Sequence, residues 1–234
     1  MSRTLLPLLL CAVIATGASS CGSTSGATTA QSLPTTTAVS PPPPPTTVTL
    51  FYVRGGMLVP VVMRVPHTAA VASAALTALG LAAPVTIADG TARVALAHAA
   101  ADEIAEIVYT LTEFPSIQRV DVAGRTGLTR DDFAAYLPTI FVESPASGAE
   151  VPRSIMVSGS ASVFEATLVI ELVRDGAVLE KHTVTASEGA PARGTFETTL
   201  QAPSSGPATV TAFAPSAEDG TPQHQVDVPV IVTP

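Results

Sequence analysis

Two kinds of hydrophobic pattern follow each other along the chain. In residues 48–139, alternating apolar runs are mixed with helical ones. Residues 48–53 and 58–65 are β-rich runs on either side of an Arg-Gly-Gly turn, and they predict a hairpin. In residues 102–114 the apolar side chains recur at helical spacing, which predicts an amphipathic helix that Pro115 ends.

Shorter elements complete this region. We predict a helix at 69–79, a strand at 92–96 after an Asp-Gly turn, a strand at 119–123, and a short helix between Thr129 and Pro138. Residues 48–139 are therefore predicted to form a mixed α+β domain, called here the N-terminal module.

After residue 139 the helical period disappears, and short strand-like runs recur between Gly, Pro and Ser. Seven such runs are found, at 140–143, 155–160, 167–174, 178–185, 194–200, 208–214 and 225–232. Asp175-Gly176 between two of them predicts a hairpin turn, and Pro229 predicts that the last strand lies at an edge or a bulge. The pattern predicts an all-β immunoglobulin-like sandwich at residues 140–234, called here the sandwich.

Composition narrows the functional classes. The chain has 234 residues, with 11 Lys and Arg against 19 Asp and Glu, for a net charge of −8. That balance argues against a nucleic-acid partner, since Lys and Arg neutralise the phosphates in such complexes. Only 4% of the residues are aromatic and there is no Trp.

The N-terminus has the features of an export signal. Arg3 precedes an apolar stretch at residues 5–14, which is too short to span a bilayer comfortably as a helix. Ala18-Ser19-Ser20-Cys21 resembles the lipobox of bacterial lipoproteins, which implies cleavage between Ser20 and Cys21 and acylation of Cys21. The alternative is a plain secretory signal cut near Ser20, with Cys21 free.

Residues 21–47 contain no charged side chain and consist mostly of Ser, Thr, Ala, Gly and Pro. This composition predicts a disordered linker. With the signal peptide assigned to residues 1–20, we expect an extracytoplasmic protein that a lipid on Cys21 anchors to the cell membrane.

Two family resemblances follow from particular segments. Residues 48–66 and 105–123 resemble the GerMN domain of sporulation and germination proteins. Residues 157–168, 194–196 and 213–221 resemble the immunoglobulin-like domain of bacterial spore germination.

The resemblance implies an envelope lipoprotein of an actinobacterial type with no known enzymatic activity. It also implies a likeness to ring-building domains, so self-association is expected. The stretch between Leu79 and Asp89 is shorter than the GerMN family usually has, and a strand or loop is expected to be missing there.

The sequence offers little for catalysis or metal binding. The four His residues (67, 98, 182 and 224) are widely spaced and form no paired motif. Cys21 is the only Cys expected in the mature chain, and there is no Ser-x-x-Lys or Gly-x-Ser-x-Gly element. We therefore predict no enzyme activity, no cofactor and no metal.

Four residues in the sandwich are candidates for an interaction site: Phe164, Glu165, Glu218 and Asp219. Either they form a binding edge or loop, or Phe164 packs inside the sandwich while Glu165 and Asp219 shape turns.

Two functions remain open. The first is a non-catalytic, membrane-anchored adaptor or scaffold that binds an envelope protein or the cell wall. The second is a solute- or glycan-binding lipoprotein that serves a transporter or sensor, and it would need a deep, polar and aromatic pocket. The short Pro138-Thr139 join predicts a fixed arrangement of the two regions.

Overall fold

The computed structural model of the protein describes residues 43–234. The predicted signal peptide (residues 1–20), the Ser20–Cys21 cleavage site, the lipidation site Cys21 and most of the predicted linker lie outside the described residues. The first strand begins at Thr46, so it overlaps the last two residues of the linker predicted at 21–47. Between residues 43 and 234, no helix has the length and apolar character needed to cross a membrane.

The N-terminal module begins with the predicted hairpin. β1 (Thr46–Arg54) pairs with β2 (Met57–Val65) in antiparallel register. Gly55 and Gly56 turn the chain with φ of +59° and +80°. Glycine adopts this left-handed region without the steric cost that a Cβ would bring, so the Gly-Gly pair explains the tight turn.

The helix α2 (Ala101–Leu111) lies along one edge of β1 and occupies its hydrogen-bonding groups. The Phe51 N–H donates to Thr110 Oγ1 at 3.0 Å, and the Val53 N–H donates to Glu106 Oε1 at 2.7 Å. Unpaired edge groups invite pairing with another strand. The two α2 side chains therefore close this part of the hairpin edge.

Both helices are shorter than predicted. The first, α1, spans Val71–Ala78 instead of residues 69–79. α2 ends at Leu111, three residues before the predicted end at Phe114. Phe114 precedes Pro115, and a residue in that position is disfavoured in the helical region. The Thr112 hydroxyl meanwhile donates to the Val108 carbonyl at 2.7 Å and satisfies part of the last turn.

A four-stranded sheet completes the module, in the order β3-β4-β5-β6. Its strands are β3 (Val85–Ala88), β4 (Thr91–Val94), β5 (Arg119–Val122) and β6 (Arg125–Leu128). β4 and β5 are parallel, and the other pairs are antiparallel. The sequence did not predict β3 or β6. β3 lies in the Leu79–Asp89 stretch, so this short stretch still contains a strand.

The last element of the module is a 3₁₀ helix at Arg130–Tyr136. Thr129 precedes it as predicted, and the Thr129 N–H donates to Asp132 Oδ2 at 2.8 Å. Phe133 is the buried residue of this helix.

The sandwich contains all seven predicted strands and one more. Its five-stranded sheet has the order β11-β10-β13-β14-β8, and its three-stranded sheet has the order β12-β9-β7. The strands are β7 (Ile140–Ser144), β8 (Ala149–Val151), β9 (Ser154–Ala161), β10 (Thr167–Arg174), β11 (Ala177–Thr185), β12 (Gly194–Gln201), β13 (Gly206–Pro215) and β14 (Pro222–Val232).

The unpredicted strand β8 pairs in parallel with the end of β14 at residues 230–232. Pro229 lies just before this paired stretch, where β14 is still the edge of its sheet. Asp175 and Gly176 form the predicted β10–β11 turn, with φ of +51° and +79°.

β7 contributes side chains to two hydrophobic cores. Ile140 and Val142 point into the sandwich core. Phe141 is 3% exposed and packs into the core of the N-terminal module. Successive side chains of a strand point to opposite faces, so one strand joins both cores. Phe141 falls within the region predicted as sandwich, at 140–234, yet its side chain belongs to the other core.

Backbone hydrogen bonds join the two regions at a second place. The Val62 N–H of β2 donates to the Ser147 carbonyl at 2.9 Å, and the Ser147 N–H donates to the Pro60 carbonyl at 3.0 Å. An Arg193 guanidinium N–H from the sandwich also donates to the Pro138 carbonyl at 2.6 Å. These contacts favour the fixed arrangement that the short join predicts.

Removal of the Phe141 ring tests the role of β7. We expect Phe141→Ala to lower the free energy of unfolding by about 3–5 kcal/mol, because it leaves a cavity among buried aromatic side chains. Urea denaturation of the full chain measures this change. The matched control is Phe164→Ala, since Phe164 is 72% exposed, and its effect should stay within about 0.5 kcal/mol. Equal losses in the two variants would contradict the assignment.

The carboxylate that closes the β1 edge gives a pH-dependent prediction. Burial raises the pKa of Glu106 above its ordinary value of 4.5, and the hydrogen bond from Val53 only partly opposes this. The folded chain then holds this proton more tightly than the unfolded chain. The free energy of unfolding should therefore fall as pH rises from 4.5 through the folded pKa.

Glu106→Gln keeps an acceptor oxygen for Val53 and removes the titration, so the variant should lose less stability over this pH interval. Urea denaturation at about pH 4.5 and about pH 7 measures the difference. Glu197→Gln, at an exposed position of β12, is the control. A fall in the Glu106→Gln variant as large as in the wild type would refute this account.

Candidate binding surface

One end of the sandwich is built from three segments, two of which are joined by a backbone hydrogen bond. The Val163 carbonyl accepts hydrogen bonds from the N–H groups of Ala166 at 3.2 Å and Ala190 at 2.9 Å. A Cβ placed on Gly189 would lie 2.8 Å from the Ala166 nitrogen, so only glycine fits there without displacement. The segments at 163–166 and 187–193 therefore support each other. We call this part of the molecule the loop end.

Phe164 projects from this support into solvent, with 72% of its surface exposed. Glu165 and Ala166 follow it with φ of +54° each, which non-glycine residues rarely adopt. The turn places Val163 and Ala166 in the core and Phe164 outside. The expectation that Phe164 packs inside the sandwich is therefore wrong.

The facing segment is the turn between β13 and β14. The Ser216 N–H donates to the Thr221 carbonyl, and the Gly220 N–H donates to the Ser216 carbonyl, both at 2.9 Å. Asp219 Oδ1 accepts from the Thr221 N–H at 3.1 Å and from the Thr221 hydroxyl at 2.8 Å. These hydrogen bonds hold the pKa of the Asp219 carboxyl below its usual value.

Phe164 and Glu218 line the same groove of about 480 Å³ between these segments. Small side chains form much of its wall, including Ala190, Ala214 and Ala217, and Gln223 and His224 line it as well. Glu165 and Asp219 do not line it: the first occupies the strained turn, and the second bonds within its own turn. The structure thus brings together two of the four residues singled out in the sequence and gives the other two turn-forming positions.

A second groove, of about 760 Å³, lies on the outer face of the five-stranded sheet. Lys181 pairs with Glu171 at 3.0 Å and lies 5.7 Å from the centre of the Phe213 ring. Thr211 donates to Asp227 Oδ1 at 2.8 Å. These four polar side chains are paired with one another. Val169, Glu171 and Val173 occupy every second position of β10. This period of two was the feature of the sequence that indicated an outer face.

The His residues do not converge. His182 contacts the Thr198 hydroxyl at 2.8 Å and Glu180 Oε1 at 3.0 Å, which links β11 to β12. In the part of the chain covered by residues 43–234, no three His, Cys, Asp or Glu side chains gather in a way that could hold a metal ion. Cys21 and Ser20 lie outside that range.

A protein-family model matches most of the sandwich. Residues 139–221 match the immunoglobulin-like domain of bacterial spore germination. This confirms the resemblance predicted for that part of the chain. The match includes Phe164, Glu165, Glu218 and Asp219, and it ends one residue before β14, whose pairing with β13 extends the five-stranded sheet.

Two other comparisons add little. A crystal structure of an engineered protein is similar to this chain with a TM-score of 0.31 and 16% sequence identity. The similarity covers 56% of this chain and 36% of that one. A search of curated proteins found no match.

Proposed function

We propose that this protein is a non-catalytic adaptor of the bacterial envelope, held at the membrane by a lipid on Cys21. Its immunoglobulin-like domain would bind an envelope protein through the loop end. The observation that carries this proposal is Phe164, an exposed aromatic ring on a turn fixed by backbone hydrogen bonds. Aromatic side chains are enriched at protein interfaces, and a rigid support reduces the conformational entropy lost on binding.

The likeness of residues 48–66 and 105–123 to the GerMN domain supports the same class. In that reading the N-terminal module is a second interaction domain, and self-association is one way it would act. The fixed join through Phe141 would present both modules to a partner in one orientation.

The alternative, a solute- or glycan-binding lipoprotein, has less support. The recess beside the join, of about 620 Å³, is lined by Thr47, Val62, Arg64 and residues 148–150. No lining residue is aromatic, and the Arg64–Glu150 pair across it is 64% and 60% exposed. Sites that enclose small molecules bury most of the ligand among apolar and aromatic groups, whereas this recess has no aromatic lining residue and an exposed ion pair across it.

Lipid attachment can be tested directly. Cells expressing the full chain are grown with an alkyne analogue of palmitate, and the label on the protein is measured. We expect labelling of the wild type and its loss in Cys21→Ser. Cys11→Ser is the matched control and should keep the label, because Cys11 lies within the predicted signal peptide. Labelling that survives Cys21→Ser would exclude Cys21 as the anchor.

Partner binding can be tested in living cells with a photoreactive phenylalanine analogue at position 164. We expect irradiation to give a discrete adduct with an envelope protein. The control places the same analogue at Met156, which is 57% exposed on β9 of the three-stranded sheet. Adducts of equal yield at both positions, or no protein adduct at either, would contradict an adaptor that acts through the loop end.

A further inference from the structure

We infer that the loop-end groove binds an arginine side chain presented by the partner protein. This inference rests on the adaptor function and specifies the chemistry of its partner. It starts from the two groups that the groove exposes together, the Phe164 ring and the Glu218 carboxylate. A purely apolar side chain would satisfy the ring and leave the carboxylate unpaired, whereas a cation is attracted by both.

The charge of the sandwich favours a cationic partner. Residues 139–234 carry eleven acidic and four basic side chains. Glu165 and Asp219 are exposed next to the groove residues Phe164 and Glu218. The groove thus lies in an acidic part of an acidic domain, and a positive group would be drawn towards it.

The sandwich supplies no Lys or Arg side chain to this groove, and His224 is the one lining residue that could carry a positive charge. The four Lys and Arg side chains of the sandwich all have partners elsewhere among the described residues: Arg153 with the Pro203 carbonyl, Arg174 with Ser204, Lys181 with Glu171, and Arg193 with Ser160 and Pro138. None of them lines the groove. A permanently charged cation for Phe164 and Glu218 is therefore expected to come from another molecule.

The shape of the groove fits arginine better than lysine. Ala190, Ala214, Ala217 and Pro215 give an apolar path for the methylene stem. A planar guanidinium stacks on an aromatic face and donates two parallel hydrogen bonds to a carboxylate, which a lysine ammonium does not. Both walls are fixed by backbone hydrogen bonds, so binding would order little additional chain.

The inference is tested by titration of the full chain, in neutral detergent, with three blocked tripeptides. Their central residues are arginine, lysine and citrulline, the neutral analogue of arginine. Backbone amide shifts of residues 163–166 and 216–221 follow binding by NMR. We expect saturable shifts in these two segments, with arginine bound about five-fold or more tightly than citrulline and lysine between them. Added salt should weaken the binding of the arginine peptide.

Two variants probe the walls separately. Glu218→Gln and Phe164→Ala should each lower the affinity for the arginine peptide about three- to five-fold. The controls are Glu197→Gln, which removes an exposed carboxylate from β12, and Met156→Ala, which removes an exposed apolar side chain from β9. Both controls should bind as the wild type does. All four positions are exposed, so unchanged thermal unfolding will show that the variants are folded.

Several outcomes would overturn the inference. One is the absence of saturable shifts with the arginine peptide. Another is equal affinity for arginine and citrulline, with sensitivity to Phe164→Ala but not to Glu218→Gln, which would indicate an apolar or glycan site instead. If the in-cell adduct at position 164 forms while the titration fails, the groove assignment is wrong and the adaptor stands. If the titration succeeds and no adduct forms, the adaptor proposal is wrong and the arginine-binding groove stands.

Discussion

The arrangement of the protein depends on an aromatic cluster at the junction of its two regions. Phe51 from β1, Tyr109 from α2 and Phe141 from β7 have ring centres 5.5–6.4 Å apart. The Arg130 guanidinium lies over the first two rings, at 5.3 and 5.0 Å from their centres. Aromatic pairs and cation–π contacts of this geometry add to the free energy gained from apolar burial.

Arg130 also ties this cluster to its surroundings. Its Nε donates to Thr112 Oγ1 at 2.8 Å, and its terminal nitrogens contact the carboxylates of Glu113 and Glu143. Glu143 belongs to β7, whereas Glu113 follows α2. One cation thus holds together the end of a helix and the first strand of the sandwich. Burial of the same cluster raises the pKa of the Tyr109 hydroxyl.

Much of the fold could be predicted from local signals, and the errors have physical causes. The β1–β2 hairpin, the helical stripe of α2 and the seven strands of the sandwich follow from periodicity and from Gly or Asp-Gly turns. β3, β6 and β8 have only three or four residues each and few buried side chains, so they show no clear alternation. Their pairing is set by tertiary context, including the parallel contacts of β4 with β5 and of β8 with β14.

The candidate site was only partly visible in the sequence. Phe164 lies in the Val163–Ala166 segment, whose first and last residues are both buried, and nothing in the sequence distinguishes its apolar side chain from theirs. Its exposure follows from the left-handed conformations of Glu165 and Ala166. The distance in sequence between Phe164 and Glu218 also hides their common groove, because only the sandwich topology brings the two turns to one end.

Because β7 contributes side chains to two cores, the fold tolerates some sequence changes at the junction better than others. Ile140 and Phe141 serve different cores because they are neighbours on a strand, so their sides depend on the register of β7 against β9. A one-residue slip of this register would exchange the sides and place both residues in the wrong core. Substitutions of similar size at the junction should therefore be tolerated more readily than changes that shift the register.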